Sequence, residues 1–357
     1  MKVAAVEARP VRIPLGRPYT IATRTISEIE PVLVVLRDDA GNEGLGTATP
    51  AAYVTGETAE RCRAALATGA LEWLVGEDPA MLPRLLLRLG QAMPDAPAAR
   101  AAVDMALHDL RARQLGLSLG ELLGQCHPAL PTSITIGIKS AAETLAEADE
   151  YLGRGFRVLK VKIGLDLDED LDRLTQLRAQ VGPAVVIRAD ANQGYTLDET
   201  RRFFAEAQRL DIEFLEQPVT AAATDELRTL RPELRERVAA DEGLLSPADA
   251  LRLAQPPRAA GIFNIKLMKC GGIAPARTIA EIAAASSTRL MWGCMDESCI
   301  GISAALAAAL SSPATAYLDL DGSFDLARDV ARGGFVVEGG VMRPQGGPGL
   351  GVSLADA

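Results

Sequence analysis

The sequence predicts an α/β protein in which a parallel barrel of alternating strands and helices follows a smaller α+β unit. After about residue 125, short β-rich runs alternate with helical stretches, and each run ends in a polar residue or a cysteine. These ends are Thr135, Lys162, Asp190, Glu216, Asp241, Lys266, Cys294 and Asp319, separated by 27, 28, 26, 25, 25, 28 and 25 residues. Eight units of near-constant length are typical of a (β/α) barrel. A doubly wound sheet also alternates, but it rarely places chemically active residues at every strand end.

The α+β unit precedes the barrel. Residues 1–50 are predicted to form strands and turns, because apolar residues alternate near the start and a β-branched run at 32–36 leads into a turn signal at 38–42. Residues 56–124 are predicted to be helical, since apolar residues recur every three or four positions through 98–110. Between the first strands, Leu15–Ser27 is predicted to be a mobile capping loop.

Three regions follow from this pattern. Residues 1–125 are expected to form an α+β capping domain and residues 126–321 the barrel. The Gly- and Pro-rich segment 322–357, with a strand-like run at 334–337, is expected to return to the capping domain.

Composition excludes several classes of protein. The 357 residues are 48% hydrophobic and carry 37 basic and 47 acidic side chains, a formal charge of −10, which disfavours nucleic acid and anionic membranes as partners. Five scattered cysteines without a CxxC pair argue against a disulfide framework or a zinc site, and no signal-like or membrane-spanning apolar run occurs. A cytoplasmic protein is expected.

Three carboxylates end consecutive units: Asp190, Glu216 and Asp241. In a parallel barrel the carboxyl ends of the strands meet at one mouth, so these side chains are expected to converge. Converging carboxylates without imidazole are ligands suited to Mg²⁺. Helix caps or loop ion pairs would explain any one of them, but three at matched offsets would repel one another unless a cation lay between them.

Lysines flank the carboxylates. Lys160 and Lys162 are two positions apart on one strand and therefore share its inner face. Lys266 ends the sixth strand, opposite the second in an eight-stranded barrel, so Lys162 and Lys266 would face each other across the mouth. One base on each face of a bound carbon is what 1,1-proton transfer requires. Lys160, the metal and partial burial would each lower the pKa of Lys162. The alternative is that these lysines only pair with the carboxylates.

This set of residues resembles the enolase superfamily, in which a Lys or His base works with Mg²⁺. The resemblance covers nearly the whole chain and includes the segments 105–110, 160–162, 190–192, 216–218, 241–242, 264–266 and 348–351. It implies a modified TIM barrel, (β/α)₇β, with an α+β capping domain. The paired lysines resemble the muconate-lactonizing subgroup. By that resemblance, Asp190, Glu216 and Asp241 bind one Mg²⁺, and Lys162 and Lys266 are the acid/base catalysts.

Only two histidines occur, His108 and His127. Branches of the superfamily that use a histidine late in the barrel are therefore excluded. Within the Lys–Lys subgroup, Asp319 and Asp321 form an Asp-x-Asp motif on the eighth strand. The motif resembles that of dipeptide epimerases, where it holds the substrate ammonium, although taken alone it could be a structural turn. Mg²⁺ is expected to take the terminal carboxylate of the dipeptide, and the lysines to exchange the α-proton of its C-terminal residue.

Side-chain preference is predicted from Asp296, which stands where an Ala-Glu epimerase would have an apolar residue. A third carboxylate near Asp319 and Asp321 would be repelled unless a cation neutralised it, which favours dipeptides containing Arg or Lys. Arg24 would instead favour an acidic second residue if it pointed inward. The predicted substrate-binding residues are Lys160, Asp296, Asp319, Asp321, Thr135, Arg24 and Met295.

Several alternatives stay open: an L-Ala-D/L-Glu epimerase, an N-acylamino acid racemase, a cycloisomerase of the same subgroup, or a non-catalytic barrel with a binding or structural role. The expected partner is a small dipeptide, with no nucleic acid and no membrane, and the chain is expected to form a homo-oligomer.

Overall fold

The computed structural model of the chain describes residues 1–22 and 24–355. The first five strands are β1 (Val3–Pro10), β2 (Ile13–Ile21), β3 (Arg24–Ile29), β4 (Val32–Asp38) and β5 (Glu43–Ala48). Strands β1, β4 and β5 form an antiparallel sheet in that order, and β4, at its centre, is almost entirely buried. The prediction of strands over residues 1–50 is confirmed.

The segment Leu15–Ser27 is not a loop. Strands β2 and β3 form an antiparallel hairpin in which Thr20 pairs with Thr25, although Thr23 lies outside the described residues. The hairpin has an apolar cluster of its own, made of Leu15, Ile21 and Ile26. The predicted mobile loop is therefore wrong, because Gly16 and Pro18 interrupt the strand pattern in the sequence without preventing the pairing.

Helices follow, as predicted for residues 56–124. They are α1 (Ala52–Thr55), α2 (Ala59–Ala65), α3 (Thr68–Leu71), α4 (Leu82–Ala92), α5 (Pro97–Leu115) and α6 (Leu119–Leu123), with 3₁₀ turns at Glu72–Leu74 and Pro79–Met81. Helix α5 packs on the antiparallel sheet so closely that a Cβ atom at Gly46 would lie 1.9 Å from the carbonyl oxygen of Ala102. Glycine is therefore required there.

Eight parallel strands form the barrel: β7 (Ile134–Ile136), β8 (Val158–Lys162), β9 (Val186–Asp190), β10 (Ile212–Glu216), β11 (Val238–Ala240), β12 (Ile262–Ile265), β13 (Arg289–Gly293) and β14 (Thr315–Asp319), preceded by the short β6 (Leu130–Pro131). They pair in sequential order. Between β14 and β7 the barrel is nearly closed, since the Ser133 amide donates to the Leu318 carbonyl at 3.1 Å. Seven of the eight predicted strand-end residues lie at or just beyond the strand ends, and Thr135 lies one residue before the end of β7.

Helices cover the outside of the barrel: α7 (Ala141–Gly153), α8 (Leu167–Val181), α9 (Leu197–Glu206), α10 (Pro232–Arg235), α11 (Pro247–Ala254), α12 (Leu267–Cys270), α13 (Ile273–Ala285) and α14 (Cys299–Leu310), with 3₁₀ segments at Ala207–Leu210 and Ala221–Thr229. The last barrel strand leads into further strands rather than a helix, which gives the predicted (β/α)₇β order. Among the described residues, none of the helices combines the length and apolar character that crossing a bilayer requires.

The C-terminal segment lies against the first part of the chain. It contains β15 (Ala331–Gly333), β16 (Phe335–Glu338), β17 (Val341–Pro344) and β18 (Val352–Leu354), and the last two residues of the predicted 322–357 region lie outside the described residues. The buried Asp109 of α5 accepts from the Leu350 amide at 2.7 Å and from the Leu45 amide at 2.8 Å. One carboxylate thus ties the tail, α5 and β5 together. The predicted domain boundaries stay predictions.

Candidate active site at the carboxyl ends of the barrel strands

The three predicted carboxylates lie side by side at the barrel mouth. Asp190 ends β9, Glu216 ends β10, and Asp241 directly follows β11. Asp190 and Glu216 are register partners in neighbouring strands. All three side chains are fully buried. Parallel strands in register bring their ends to one level, and this places residues about 25 positions apart next to each other.

Lys160 lies among these carboxylates. Its Nζ is 3.0 Å from Asp190 Oδ2, 2.8 Å from Glu216 Oε2 and 2.7 Å from Asp319 Oδ2. Burial lowers the pKa of Lys160, but the surrounding carboxylates outweigh burial and hold it well above its ordinary value. Lys160 therefore stays charged and offsets part of the acidic cluster.

Lys162 and Lys266 approach the cluster from opposite sides of the barrel. Lys162 ends β8, and its Nζ donates to Asp190 Oδ2 at 2.7 Å. Lys266 follows β12, and its Nζ donates to Asp241 Oδ2 at 2.8 Å. Burial lowers the pKa of Lys266, yet the Asp241 carboxylate raises it above its ordinary value. Two buried lysines on opposite strands thus contact different carboxylates of one cluster.

The carboxylates differ strongly in acidity. Burial raises the pKa of Asp190, but Lys160 and Lys162 outweigh it and lower the pKa to about 2. Burial and the neighbouring Asp190 raise the pKa of Glu216 to about 8. The positive charges of the lysines therefore stabilise the ionised form of Asp190 more than that of Glu216.

The donor set fits Mg²⁺. Among the described residues, no group of three acidic, histidine or cysteine side chains already surrounds a common metal position. Two buried oxygens nevertheless lack a hydrogen-bond donor, Glu242 Oε2 and Asn192 Oδ1, and Glu216 Oε2 is paired only with the Lys160 ammonium. Buried oxygens without donors are costly. Carboxylate and amide oxygens are hard ligands of the kind that Mg²⁺ prefers.

A second acidic group, Asp319 and Asp321, adjoins the first through Lys160. Asp319 accepts from Lys160 and from the Ser133 hydroxyl. Asp321 accepts from the Thr135 amide at 2.7 Å. Strand β14 ends at Asp319, so Asp321 lies beyond it and not on the strand face as predicted. Both still line the cavity. Burial and the charge of Asp319 raise the pKa of Asp321 to about 7.

Asp296 and Met295 line the same cavity, just after β13. The Tyr19 hydroxyl donates to Asp296 Oδ2 at 2.9 Å. Burial raises the pKa of Asp296 to about 6. Thus the hairpin of the first region contributes a side chain to the barrel site.

Arg24 is the predicted residue that the fold does not bring into this group. It is exposed, and its guanidinium lies 4.8 Å from the ring centroid of Tyr53. The condition for an acidic second residue, an inward-pointing Arg24, is therefore not met.

The cavity also has lining residues that the sequence did not single out: Tyr19, Tyr53, Asn192 and Glu242. Glu242 directly follows Asp241, and burial together with Asp241 raises its pKa to about 7. Adjacency to a predicted ligand was its one available signal. Tyr19 and Tyr53 come from the first region and carry no local pattern that indicates a site.

Comparison with known proteins identifies the family. The model described as "Mandelate racemase / muconate lactonizing enzyme, N-terminal domain" matches residues 3–124, and the model described as "Enolase C-terminal domain-like" matches residues 143–357. The chain belongs to the enolase superfamily. The resemblance and the fold predicted from the sequence are both confirmed.

Individual relatives within the superfamily match along the full chain. The L-Lys-D/L-Arg epimerase of Methylococcus capsulatus is 57% identical over 356 residues, covering 100% of both chains. The L-Lys-D/L-Arg epimerase of Desulforapulum autotrophicum is 50% identical over 352 residues, covering 99% of each. The crystal structure of the Methylococcus capsulatus dipeptide epimerase with Mg and the dipeptide L-Arg-D-Lys superposes with a TM-score of 0.97 at 57% identity, covering 99% of each chain.

Proposed function

We propose that this superfamily member is a Mg²⁺-dependent dipeptide epimerase that acts on dipeptides with cationic side chains. The observation that carries the proposal is the pair of buried lysines, Lys162 and Lys266, which meet one carboxylate cluster from opposite strands. The relatives support it, since two of them are named L-Lys-D/L-Arg epimerases and a dipeptide epimerase from one of the same organisms was crystallised with Mg and L-Arg-D-Lys. The substrate class predicted from the sequence agrees with them.

Asp190, Glu216 and Asp241 would hold the Mg²⁺. When bound, the ion supplies electrostatic stabilisation of the negative charge that develops on the substrate carboxylate, a contribution of several kcal/mol. The buried oxygens without donors at Glu242 and Asn192 support a cation at this point.

The two lysines exchange the α-proton. The neutral Nζ of one lysine accepts the proton as the Cα–H bond breaks on its face of the substrate. The ammonium of the other lysine then donates a proton to the opposite face, and the configuration is inverted. Each correctly positioned acid or base contributes about 10²–10⁴ to the rate.

The acidic residues of the cavity would select the substrate. Asp319 and Asp321 would bind the N-terminal ammonium, with the Thr135 amide fixing the Asp321 carboxylate. Asp296 has one side-chain hydrogen bond, from Tyr19, and offers its remaining acceptor capacity to a cationic side chain. A blocked amino group would leave Asp321 without a cationic partner from the substrate, which disfavours an N-acylamino acid racemase. An acidic side chain would face further carboxylates, which disfavours an Ala-Glu epimerase.

Exchange of the α-proton in deuterated buffer tests the proposal. L-Lys-L-Arg, L-Arg-L-Lys and L-Ala-L-Glu are assayed side by side with Mg²⁺, and incorporation of deuterium and epimerisation are followed by mass spectrometry and NMR. Cationic dipeptides are expected to react with a kcat/KM at least about tenfold higher, a difference of about 1.4 kcal/mol. A tenfold preference for L-Ala-L-Glu would contradict the cationic class, and no exchange with any dipeptide would contradict the enzyme.

Lysine variants test the two-base assignment. Lys162→Ala and Lys266→Ala are each expected to lose epimerisation, while one epimer still exchanges its α-proton slowly on the face of the remaining lysine. Lys2→Ala, at an exposed position far along the chain from the site, is the matched control. If Lys266→Ala exchanged both epimers with solvent deuterium, the two-base assignment would be wrong.

Assembly and location are also proposals. The five cysteines are free in the structure, which supports a reducing compartment such as the cytoplasm. A homo-oligomer is proposed as well, and sedimentation velocity of the purified protein would test it.

A further inference from the structure

Lys269 is a buried lysine beside the carboxylate cluster that the proposed proton transfer does not use. It is 2% exposed and lies in α12, three residues beyond Lys266. A buried lysine needs a partner or a function, because burying an uncompensated charge is expensive.

All three donors of Lys269 are occupied. Its Nζ donates to the Asp241 carbonyl at 2.6 Å, to the Asn264 carbonyl at 3.0 Å, and to Asp241 Oδ1. An ammonium has three N–H groups and no acceptor. Lys269 is therefore not free to exchange a proton with a substrate, and it is not a third acid/base residue.

The two lysines of this segment hold different oxygens of Asp241. Lys266 contacts Oδ2 and lines the cavity, whereas Lys269 contacts Oδ1 from behind the carboxylate. The oxygen on the cavity side is thus paired with a lysine that faces substrate. The other is tied to a lysine that also holds the backbone of the fifth and sixth barrel strands.

The same division occurs at the other two carboxylates. Glu216 Oε1 accepts from the side-chain Nδ2 of Asn264 at 2.7 Å, while Oε2 is paired with the Lys160 ammonium at 2.8 Å. Asp190 Oδ1 accepts from the Asn192 backbone amide at 3.0 Å, while Oδ2 contacts the cavity lysine Lys162. In each of the three side chains, one oxygen is held by a fixed donor and the other is directed toward the cations of the mouth.

We propose that Lys269 is a positioning residue that holds Asp241 Oδ1 and so presents Oδ2 to Mg²⁺. The inference rests on the proposed function, because it assumes that Asp241 is a metal ligand. Residues behind a metal ligand orient it, and replacing them typically costs about 10–100-fold in metal affinity. Lys269 is also a cation near the metal, and its repulsion acts in the opposite direction. Orientation is expected to dominate, because Asp241 Oδ1 already neutralises the ammonium by direct contact.

Titration calorimetry of the purified, metal-free protein with MgCl₂ tests the inference. Lys269→Met removes all three donors and keeps an unbranched side chain that is one atom shorter, and it is expected to weaken Mg²⁺ binding by about 10–100-fold. At saturating Mg²⁺ its kcat is expected to stay within a few-fold of wild type, so the Mg²⁺ concentration for half-maximal activity rises while kcat is kept. Lys139→Met is the matched control, because Lys139 is another lysine that forms an ion pair, in this case with Glu147. The Mg²⁺ affinity of the Lys139→Met protein is expected to equal that of wild type.

Lys269→Arg separates charge from orientation and keeps the proposal testable if Lys269→Met does not fold. It retains the buried positive charge, but a planar guanidinium cannot reproduce the three directions of an ammonium, so weaker Mg²⁺ binding is again expected. Unchanged or tighter Mg²⁺ binding in a folded Lys269 variant would overturn the positioning role, and so would a lost kcat at saturating Mg²⁺ with normal affinity. A wild-type protein that neither binds Mg²⁺ nor exchanges α-protons would overturn the proposed function as well.

Discussion

Single residues at the barrel mouth are placed by contacts that leave little free space. Gly293 ends β13, and a Cβ atom there would lie 2.7 Å from Asn264 Oδ1 and 3.1 Å from Lys266 Cε. Asn264 in turn holds Glu216. A methyl group at position 293 would therefore displace both Asn264, which binds Glu216, and the proposed catalytic Lys266. The interior is too densely packed to accommodate the added methyl group in another way.

Gly293→Ala is expected to lower kcat by about 10²-fold, the loss expected for an active-site group misplaced by about 1 Å. Its KM for L-Lys-L-Arg should change much less, since Asp319 and Asp321 are untouched. Steady-state kinetics measure both constants. Gly90→Ala is the control, because nothing lies within 4 Å of a Cβ at that position in α4. A Gly293→Ala protein with the kcat of wild type would contradict the claim that a Cβ at position 293 displaces a catalytic Lys266.

The pKa of Asp296, raised to about 6 by burial, predicts a pH-dependent selectivity. Above pH 6 the carboxylate is charged and attracts a cationic side chain, and as the pH falls below 6 it is protonated and the attraction is lost. The ratio of kcat/KM for L-Lys-L-Arg over L-norleucyl-L-Arg should thus fall from pH 8 to pH 5 by about tenfold, or about 1.4 kcal/mol, as expected for a lost charged hydrogen bond.

Comparing a ratio removes the titration of Asp321, because both dipeptides carry the same ammonium. Asp296→Asn should show a low ratio that does not vary with pH. A wild-type ratio that is equally high at pH 5 and pH 8 would show that Asp296 does not recognise the side chain.

At the scale of elements, helix α5 of the first region supports the short helix α12, which contains Lys269 and begins directly after Lys266. Its buried Asp104 accepts from the Ile273 amide at 2.7 Å and the Ala274 amide at 3.3 Å, and thereby caps helix α13. The preceding Gly272 has a φ of 116°, and a Cβ there would lie 2.4 Å from Asp104 Cγ. The end of α12 thus contacts α5 through a tight turn, and the positive φ and the close approach of Asp104 require glycine at position 272.

Asp104→Ala is expected to lower the free energy of unfolding by about 3 kcal/mol, because it leaves the buried Ile273 N–H and the partly buried Ala274 N–H without their acceptor, at about 1–3 kcal/mol for each buried group. The matched control is Asp166→Ala, which removes the exposed N-cap of α8 and should cost about 1 kcal/mol. Urea denaturation followed by circular dichroism measures both. Equal losses in the two variants would contradict a special role for the contact between α5 and α13.

At the scale of the whole molecule, the acidic excess is partly concentrated at one place. The formal charge is −10, and the barrel mouth gathers buried carboxylates from β9, β10, β11 and β14. Buried lysines offset some of that charge, yet the pKa of Glu216 is still raised to about 8. A divalent cation at the mouth would relieve the remaining repulsion, so metal binding and folding are expected to be coupled.

Mg²⁺ is therefore expected to stabilise the folded protein. An ion that binds only the folded state at about 100 times its Kd adds about 2.7 kcal/mol. Thermal unfolding with excess Mg²⁺ should show a higher midpoint than unfolding in EDTA. In Asp190→Asn, which removes a proposed ligand charge, the shift should largely disappear. An equal Mg²⁺ shift in wild type and Asp190→Asn would contradict a site that includes Asp190.

Local sequence patterns were sufficient to predict the barrel and the carboxylates and lysines that meet at its mouth. Strand ends recur every 25 to 28 residues, and Asp190, Glu216 and Asp241 stand at three consecutive ends. A strand end is a local feature, and the parallel barrel brings all such ends to one mouth, so spacing alone indicates which side chains meet. Both histidines precede residue 128, so the sequence alone predicts that lysines rather than a histidine transfer the proton in the barrel.

The tertiary structure alone decided which remaining residues complete the site. Tyr19 and Asp296 are 277 positions apart, and no periodicity links a hairpin to a barrel loop. The prediction of a mobile loop over Leu15–Ser27 failed for the same reason, since the strands of the hairpin are stabilised by each other and by a small apolar cluster. Lys269 is three positions from Lys266 and has the same chemistry in the sequence. Burial, and which oxygen of Asp241 each lysine reaches, give the two lysines different roles, because those properties depend on distances in space rather than along the chain.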